Sequence, residues 1–217
     1  MTPPDLNLRD QLSSIKSGFH EPTIVGSESG FEPEHGGSEA SLAEWTEHWD
    51  DESGTSSFAA RLAACPAVAH ATIALHGDLG AGKTTFTRHL LRALGVRGRI
   101  KSPTYAIVEP HEAMDCPLMP AGEVLAIWHF DFYRFDDPRE WEDAGFRELF
   151  SSAGLKLVEW PEKASSLING IDLDVYIEPD DTRLDADVDP EGESSRHVTA
   201  KARTLAGRRL VMALQNA

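Results

Sequence analysis

The feature that most constrains this chain is the glycine-rich segment G-D-L-G-A-G-K-T at residues 77–84. It matches the pattern G-x-x-x-x-G-K-[ST] in full, and it follows a short apolar run at residues 71–76. An amphipathic stretch comes next, which predicts a helix over residues 83–94 that ends at Gly95. Strand, loop and helix in this order form a P-loop, in which backbone N–H groups and a helix N-terminus wrap a phosphate. The buried stripe of the predicted helix comprises Phe86, Leu90, Leu91 and Leu94.

The pattern along the rest of the chain predicts an α/β fold. Strands are expected at residues 71–76, 124–132, 155–160, 172–177 and 197–202. Helices are expected at about residues 55–64 with Thr55 as cap, from Asp137-Pro138 onwards, and after Gly207. We therefore predict a single P-loop NTPase domain over residues 41–217, with a mainly parallel sheet flanked by helices.

Two segments are expected to lie outside this regular pattern. Residues 1–40 are rich in Pro, Gly, Ser and Glu, and we predict a disordered N-terminal extension. A second acidic segment, at about residues 178–193, is predicted to be a loop. The first residues lack the basic and apolar regions of a signal peptide, and no apolar run approaches the length of a membrane helix. We expect a cytoplasmic protein with reduced cysteines and no membrane partner.

Charge is distributed unevenly along the chain. The formal net charge of −16 argues against a nucleic-acid partner. Residues 1–54, however, hold 12 acidic and 2 basic side chains, whereas residues 79–108 hold six basic side chains and no acidic one. The segment around the P-loop is therefore locally positive, which suits a site for phosphate. For Arg88 and Arg92, a solvated helix face is an equally good interpretation.

Four side chains are candidates for phosphate and metal chemistry. Lys83 is placed to neutralise the β- and γ-phosphates, and the Thr84 hydroxyl to bind Mg²⁺. Asp131 and Glu159 each lie at the end of a predicted strand, and such ends face the same crevice as a P-loop. Glu159 has the position of a Walker B carboxylate. An ordinary salt bridge with Arg134 is the structural alternative for Asp131.

Other polar segments are less informative. Ser102 and Thr104, in K-S-P-T-Y at residues 101–105, have the position of a switch segment, although spacing alone favours a plain turn. Trp160 is either a core residue or a nucleobase-stacking residue. The nine histidines show no zinc-binding pattern, and His129 is assigned no role.

Together these motifs resemble the TsaE family, the bacterial ATPases of tRNA threonylcarbamoyladenosine biosynthesis. The resemblance rests on residues 77–86, 101–105, 129–134 and 157–162, which occur in the family's order and spacing. It extends from about Ser41 to the C-terminus. Residues 137–150 are similar to the family's helix after H-F-D-x-Y-R, and Thr55 matches a threonine before the first helix.

The resemblance implies an ATP hydrolase that uses ATP and Mg²⁺ and works with TsaD and TsaB in threonylcarbamoyl transfer to adenosine 37 of tRNA. The tRNA would be engaged indirectly or within that complex. Lys83, Asp131 and Glu159 are then catalytic, and Thr84 and Glu159 hold the metal. No arginine is evidently placed as a finger in cis, so we expect weak hydrolysis that the partners stimulate. The implied ATP-binding residues are Thr55, Asp78, Leu79, Gly80, Ala81, Gly82, Lys83, Thr84, Thr85, Ser102 and Thr104.

Three other functions fit a P-loop. A small-molecule kinase needs an arginine-rich lid, and residues 110–123 contain no arginine. A regulatory GTPase needs D-x-x-G and then N-K-x-D after the P-loop. The D-x-x-G matches, at residues 51–54 and 189–192, and the lysine-free N-x-x-D at residues 169–172 stand in the wrong order. A non-catalytic scaffold that only binds nucleotide is the third.

Overall fold

A computed structural model of the chain describes residues 42–104, 106–135, 146–180 and 195–216. The described part forms a seven-stranded sheet with helices packed against it. The strands are β1 Ala43–Trp49, β2 Thr72–His76, β3 Val108–Ala113, β4 Leu125–Asp131, β5 Leu155–Glu159, β6 Leu173–Pro179 and β7 Arg196–Ala202. The α-helices are α1 Glu52–Ala63, α2 Lys83–Ala93, α3 Phe146–Ser151 and α4 Leu205–Gln215, and short 3₁₀ segments span Pro66–His70 and Pro161–Gly170.

The sheet is mixed. Its strand order is β1-β7-β6-β2-β5-β4-β3, and the four strands β6, β2, β5 and β4 are parallel neighbours. β3 pairs antiparallel with β4, β7 with β6, and β1 with β7. The prediction of a mainly parallel sheet therefore holds for the centre and is wrong for the edges. β1 and β3 were missed because neither is a continuous apolar run; β1 alternates between exposed and partly buried residues, as a strand with one open face does.

Helix α2 begins and ends close to its predicted limits, and its four predicted core residues are fully buried. Helix α1 begins earlier than predicted, because Asp51 is its N-cap and accepts a hydrogen bond from the Ser53 N–H at 2.7 Å. The prediction of Thr55 as the cap is wrong, since Thr55 lies inside α1 and is buried.

The C-terminal helix also begins before its predicted start. Thr204 caps α4, and its hydroxyl accepts a hydrogen bond from the Gly207 N–H. Gly207 is thus inside the helix rather than ahead of it. A Cβ at Gly207 would lie 1.8 Å from the carbonyl oxygen of Asp172, so glycine permits a close approach of α4 to the sheet.

One hydrophobic core joins the sheet to α1, α2 and α4. An aromatic cluster packs the middle of α1 and the start of α2 against β1: the ring centroids of Trp49 and Phe58 are 5.3 Å apart, and those of Phe58 and Phe86 are 5.8 Å apart. Because Phe86 lies in the first turn of α2, this cluster holds the beginning of α2, and with it the P-loop, in a fixed position on the sheet.

Several predictions fall outside the described residues. These are the disordered extension at residues 1–40, the beginning of the helix at Asp137-Pro138, and most of the acidic loop. Among the residues that the structure does describe, no helix has the length and apolarity that a membrane crossing requires.

Candidate active site

The glycine-rich segment links the end of β2 to the first residue of α2. Gly77, Gly80 and Gly82 have φ angles of +135°, +85° and +110°, which only glycine adopts readily. A Cβ at Gly77 would lie 2.3 Å from the carbonyl oxygen of Ile177, so this glycine is required for packing against β6. At Gly80 and Gly82 a Cβ would meet no atom within 4 Å. The outer part of the loop therefore faces open space, as a cradle for an anion must.

Lys83 lies beneath this loop and is only 5% exposed. Its ammonium donates hydrogen bonds to the carbonyl oxygens of Gly77 at 2.6 Å and Asp78 at 2.9 Å, and it lies 4.0 Å from the centre of the Trp160 ring. Burial lowers the pKa of Lys83, and the nearby carboxylates, Glu159 foremost, act in the opposite direction. The lysine is thus a poorly hydrated cation next to the loop, ready to pair with phosphate.

Thr84 and Glu159 meet next to Lys83. The Thr84 hydroxyl donates to Glu159, at 3.0 Å from Oε1 and 3.2 Å from Oε2. Glu159 is 3% exposed and ends β5, with Leu75 of β2 on one side in register and Asp131 of β4 on the other. The parallel pairing therefore brings the two predicted carboxylates to the same sheet edge as the P-loop.

Asp131 is also nearly inaccessible to solvent, and its carboxylate oxygens accept three hydrogen bonds. Oδ2 accepts from the hydroxyls of Ser102 at 3.1 Å and Thr104 at 2.7 Å, and Oδ1 accepts from the Tyr133 N–H at 3.0 Å. From the sequence, Ser102 and Thr104 could belong either to a plain turn or to a switch segment. The structure places both hydroxyls on the carboxylate next to Glu159.

Backbone strain is concentrated around these carboxylates. In the part of the chain that the structure describes, Ile107 and Trp160 are the two non-glycine residues with positive φ, at +66° and +58°. Trp160 directly follows Glu159, and the carbonyl oxygen of Ile107 accepts a hydrogen bond from the Asp131 N–H at 2.9 Å. For a β-branched residue such as Ile107 this conformation is unfavourable, and strain of this kind clusters at functional sites.

Sequence reasoning missed two residues next to the site. His129 is fully buried, and its Nε2 lies 2.9 Å from Glu159 Oε1. The sequence did indicate the position of His129, because residues two apart on a strand share a face and His129 is two residues before Asp131. Arg196 begins β7 and donates from Nε to the carbonyl oxygen of Ala81 at 2.9 Å. No local pattern in the sequence indicated this contact between distant segments.

A cavity of about 420 Å³ adjoins the P-loop on the side of β6 and β7. Gly77 and Asp78 form its P-loop wall. Its remaining lining residues are Ile177, Glu178, Pro179, Asp180 and His197. The cavity is continuous with the loop, so a ligand with its phosphates on the P-loop has room for a further group here.

The described residues contain no group of three or more His, Cys, Asp or Glu side chains arranged to hold a metal ion by themselves. The pair of Thr84 hydroxyl and Glu159 carboxylate still fits Mg²⁺, which prefers oxygen ligands and commonly takes the rest of its shell from phosphate and water. Lys83, Asp131 and Glu159 thus lie together around the P-loop. Thr55 lies within α1, and its assignment to nucleotide stays a prediction.

Comparisons with known proteins agree on one family. The model of the family "Threonylcarbamoyl adenosine biosynthesis protein TsaE" matches residues 49–186. The tRNA threonylcarbamoyladenosine biosynthesis protein TsaE of Haemophilus influenzae is 37% identical over 142 residues, which cover 65% of this chain and 77% of that protein. The protein of the same name from Bacillus subtilis is 40% identical over 101 residues, covering 46% of this chain and 57% of the relative. The crystal structure of Bacillus subtilis YdiB is similar with a TM-score of 0.55 and 25% identity, over 80% of this chain and 95% of that one.

Proposed function

The chain belongs to the TsaE family, and on that premise we propose that it is a Mg²⁺-dependent ATPase that supports threonylcarbamoyl transfer to adenosine 37 of tRNA together with TsaD and TsaB.

The observation that carries the ATPase proposal is the contact between Thr84 and Glu159 beside the P-loop. A hydroxyl at the start of α2 and a buried carboxylate at the end of β5 lie 3.0 Å apart, and the Lys83 ammonium is close enough to interact electrostatically with that carboxylate. A hydroxyl, a carboxylate and a cation are the three groups that a metal–triphosphate complex requires.

In the proposed complex, the backbone N–H groups of residues 78–85 bind the phosphates and Lys83 neutralises their β- and γ-oxygens. Thr84 and Glu159 hold Mg²⁺, which when bound draws negative charge from the phosphates and aligns them. Asp131 orients the attacking water and accepts its proton. The hydroxyls of Ser102 and Thr104 already bond Oδ2, whereas Oδ1 accepts one hydrogen bond, from the Tyr133 N–H, among the described residues. Oδ1 therefore has a second acceptor position for the water.

The nucleoside part of ATP is assigned to the cavity of about 420 Å³ beside Gly77. Its position follows from the phosphate site, because the base must lie within reach of the loop that holds the phosphates. The roles proposed for TsaD, TsaB and tRNA rest on the family alone, and the names of the relatives support only the link to tRNA threonylcarbamoyladenosine biosynthesis.

Two structural observations weigh against the rival enzymes. The kinase lid was considered at residues 110–123, but residues 110–113 belong to β3 and are paired with β4. The first D-x-x-G match, at residues 51–54, supplies the Asp51 cap of α1 and the following turn rather than a nucleotide contact. Residues 110–113 are therefore held in the sheet, and residues 51–54 form the start of α1.

Nucleotide binding measured by calorimetry tests the binding part of the proposal. Wild type should bind ATP with Mg²⁺ and prefer ATP to GTP, and Lys83→Ala should abolish this binding. Arg97→Ala removes an exposed cation that pairs with Asp115 and lies outside both the P-loop and residues 101–105, so it is the matched control, with binding unchanged. Equal ATP affinity in wild type and Lys83→Ala would contradict the proposal. Transfer of radiolabelled phosphate to a metabolite, instead of release as free phosphate, would favour the kinase.

A further inference from the structure

A buried imidazole contacts the proposed metal ligand, Glu159, at the same oxygen that accepts the shorter hydrogen bond from Thr84. His129 Nε2 lies 2.9 Å from Glu159 Oε1, and neither side chain is reached by solvent to a significant degree. A carboxylate accepts hydrogen bonds, so the proton at this contact belongs to Nε2. The other ring nitrogen of His129, Nδ1, is buried and has no hydrogen-bond partner among the described residues.

A second histidine near His129 also has a ring nitrogen without a hydrogen-bond partner among the described residues. His111 on β3 is adjacent to His129 on β4, with ring centroids 6.4 Å apart. His111 Nε2 is likewise buried and without a partner among the residues described. Burial foremost, together with the neighbouring His129, lowers the pKa of His111 to about 4, so His111 is neutral near pH 7.

Two neighbouring rings thus each carry a buried nitrogen without a partner among the described residues. An unsatisfied buried donor or acceptor is costly, and native proteins rarely tolerate it. At a centroid separation of 6.4 Å, the two nitrogens cannot reach hydrogen-bond distance even if they point at one another. A water between two polar groups satisfies both, at little entropic cost.

We propose that His129 is a positioning residue for Glu159, and that a buried water links its Nδ1 to Nε2 of His111. The proposal rests on the assignment of Glu159 to Mg²⁺. By holding one oxygen of Glu159, His129 prevents the carboxylate from rotating and leaves the other oxygen for the metal. His111 acts one step further out, since it fixes the ring of His129 through the water. Outer partners of this kind are worth about 10–100-fold in metal affinity.

The first test is calorimetric titration of Mg²⁺ into the complex of the full chain with ADP. His129→Phe removes the donor, and the Mg²⁺ affinity should fall by about 10-fold or more. His129→Gln restores an N–H donor and should recover most of the affinity, and His111→Phe should show a smaller loss. ADP affinity without Mg²⁺ should stay unchanged in all variants. A folded His129→Phe protein with the wild-type Mg²⁺ affinity would overturn the proposal.

His89→Phe is the matched control. His89 also pairs with a carboxylate, Glu52 at 2.7 Å, but on the surface of α2. This variant should titrate with Mg²⁺ as wild type does. An equal loss of Mg²⁺ affinity in His89→Phe and His129→Phe would show that the effect is not specific to Glu159, and would overturn the assignment.

The second test uses wild type and therefore does not depend on any variant folding. Long-range ¹H–¹⁵N NMR of the imidazoles should show a proton on Nε2 of His129. Absence of a proton from Nε2 would contradict the proposed contact with Glu159. If wild type binds neither ADP nor Mg²⁺, the proposed function fails, and the NMR result still decides whether His129 donates to Glu159.

Discussion

The Thr84 hydroxyl lies 3.0 Å from Glu159 Oε1, although 75 residues separate the two positions in the chain. This contact joins the first turn of α2 to the end of β5, and it depends on the parallel pairing of β5 with β2. The pairing brings a strand-end carboxylate next to the P-loop. The proposed metal site is therefore a product of strand order, not of neighbouring residues.

Replacing Glu159 with Gln should remove the charged metal ligand and keep the volume of the side chain. Turnover of Mg-ATP should fall by roughly 100-fold, since loss of metal-based charge stabilisation costs about 3 kcal/mol. ADP binding without Mg²⁺ should change little. Phosphate release and calorimetry measure the two quantities, and parallel losses in both would mean that Glu159 supports the fold of the site rather than the metal.

Asp131→Asn should separate binding from hydrolysis. The amide oxygen can still accept from the Tyr133 N–H, and the amide NH₂ can donate to the hydroxyl oxygens of Ser102 and Thr104. The amide cannot take a proton from water, and such a base contributes about 10²–10⁴-fold to a rate. We expect ATP affinity close to that of wild type and a turnover lower by about 100-fold or more. Single-turnover measurements test this, and unchanged turnover would exclude Asp131 as the base.

The partial burial of His111 predicts a specific pH dependence of stability. Its pKa is lowered from 6.5 to about 4 in the folded protein. Between these values the unfolded chain binds a proton that the folded chain does not, so stability is lost as the pH falls from about 6.5 to about 4. His111→Gln should have a weaker dependence over that range. Urea unfolding at several pH values measures the difference, and identical slopes for the two proteins would refute it.

Gly207→Ala should destabilise the fold through steric overlap. The added Cβ would lie 1.8 Å from the backbone oxygen of Asp172, which cannot move without disturbing β6. We expect a loss of about 1–3 kcal/mol or more in the free energy of unfolding. Gly170→Ala is the control, because a Cβ there meets nothing within 4 Å. Thermal unfolding of the two variants distinguishes them, and equal midpoints would show that α4 shifts freely.

The central strands, α2 and its buried stripe were predictable, because each depends on a local apolar pattern. The edge strands were not, because β1 and β3 are half polar and take their structure from pairing with β7 and β4. The start of α1 was misplaced because Thr55 and Asp51 are both capping residue types, and local sequence does not rank them.

In the candidate site too, some residues are revealed by a local pattern, whereas others are brought in only by contacts between distant segments. Asp131 and Glu159 were found because an acidic residue that ends an apolar strand is conspicuous. Arg196 depends on the contact of β7 with the P-loop, which no local pattern encodes. A correct period-two count along β4 would have placed His129 on the same face of the strand as Asp131.

The most direct test of the account is ATP hydrolysis by the full chain with TsaD and TsaB added or withheld, comparing wild type with Lys83→Ala. We expect slow Mg²⁺-dependent phosphate release by wild type alone, clear stimulation by the two partners, and no hydrolysis above background in Lys83→Ala under either condition. Equal turnover with and without the partners, or undiminished hydrolysis in Lys83→Ala, would contradict it.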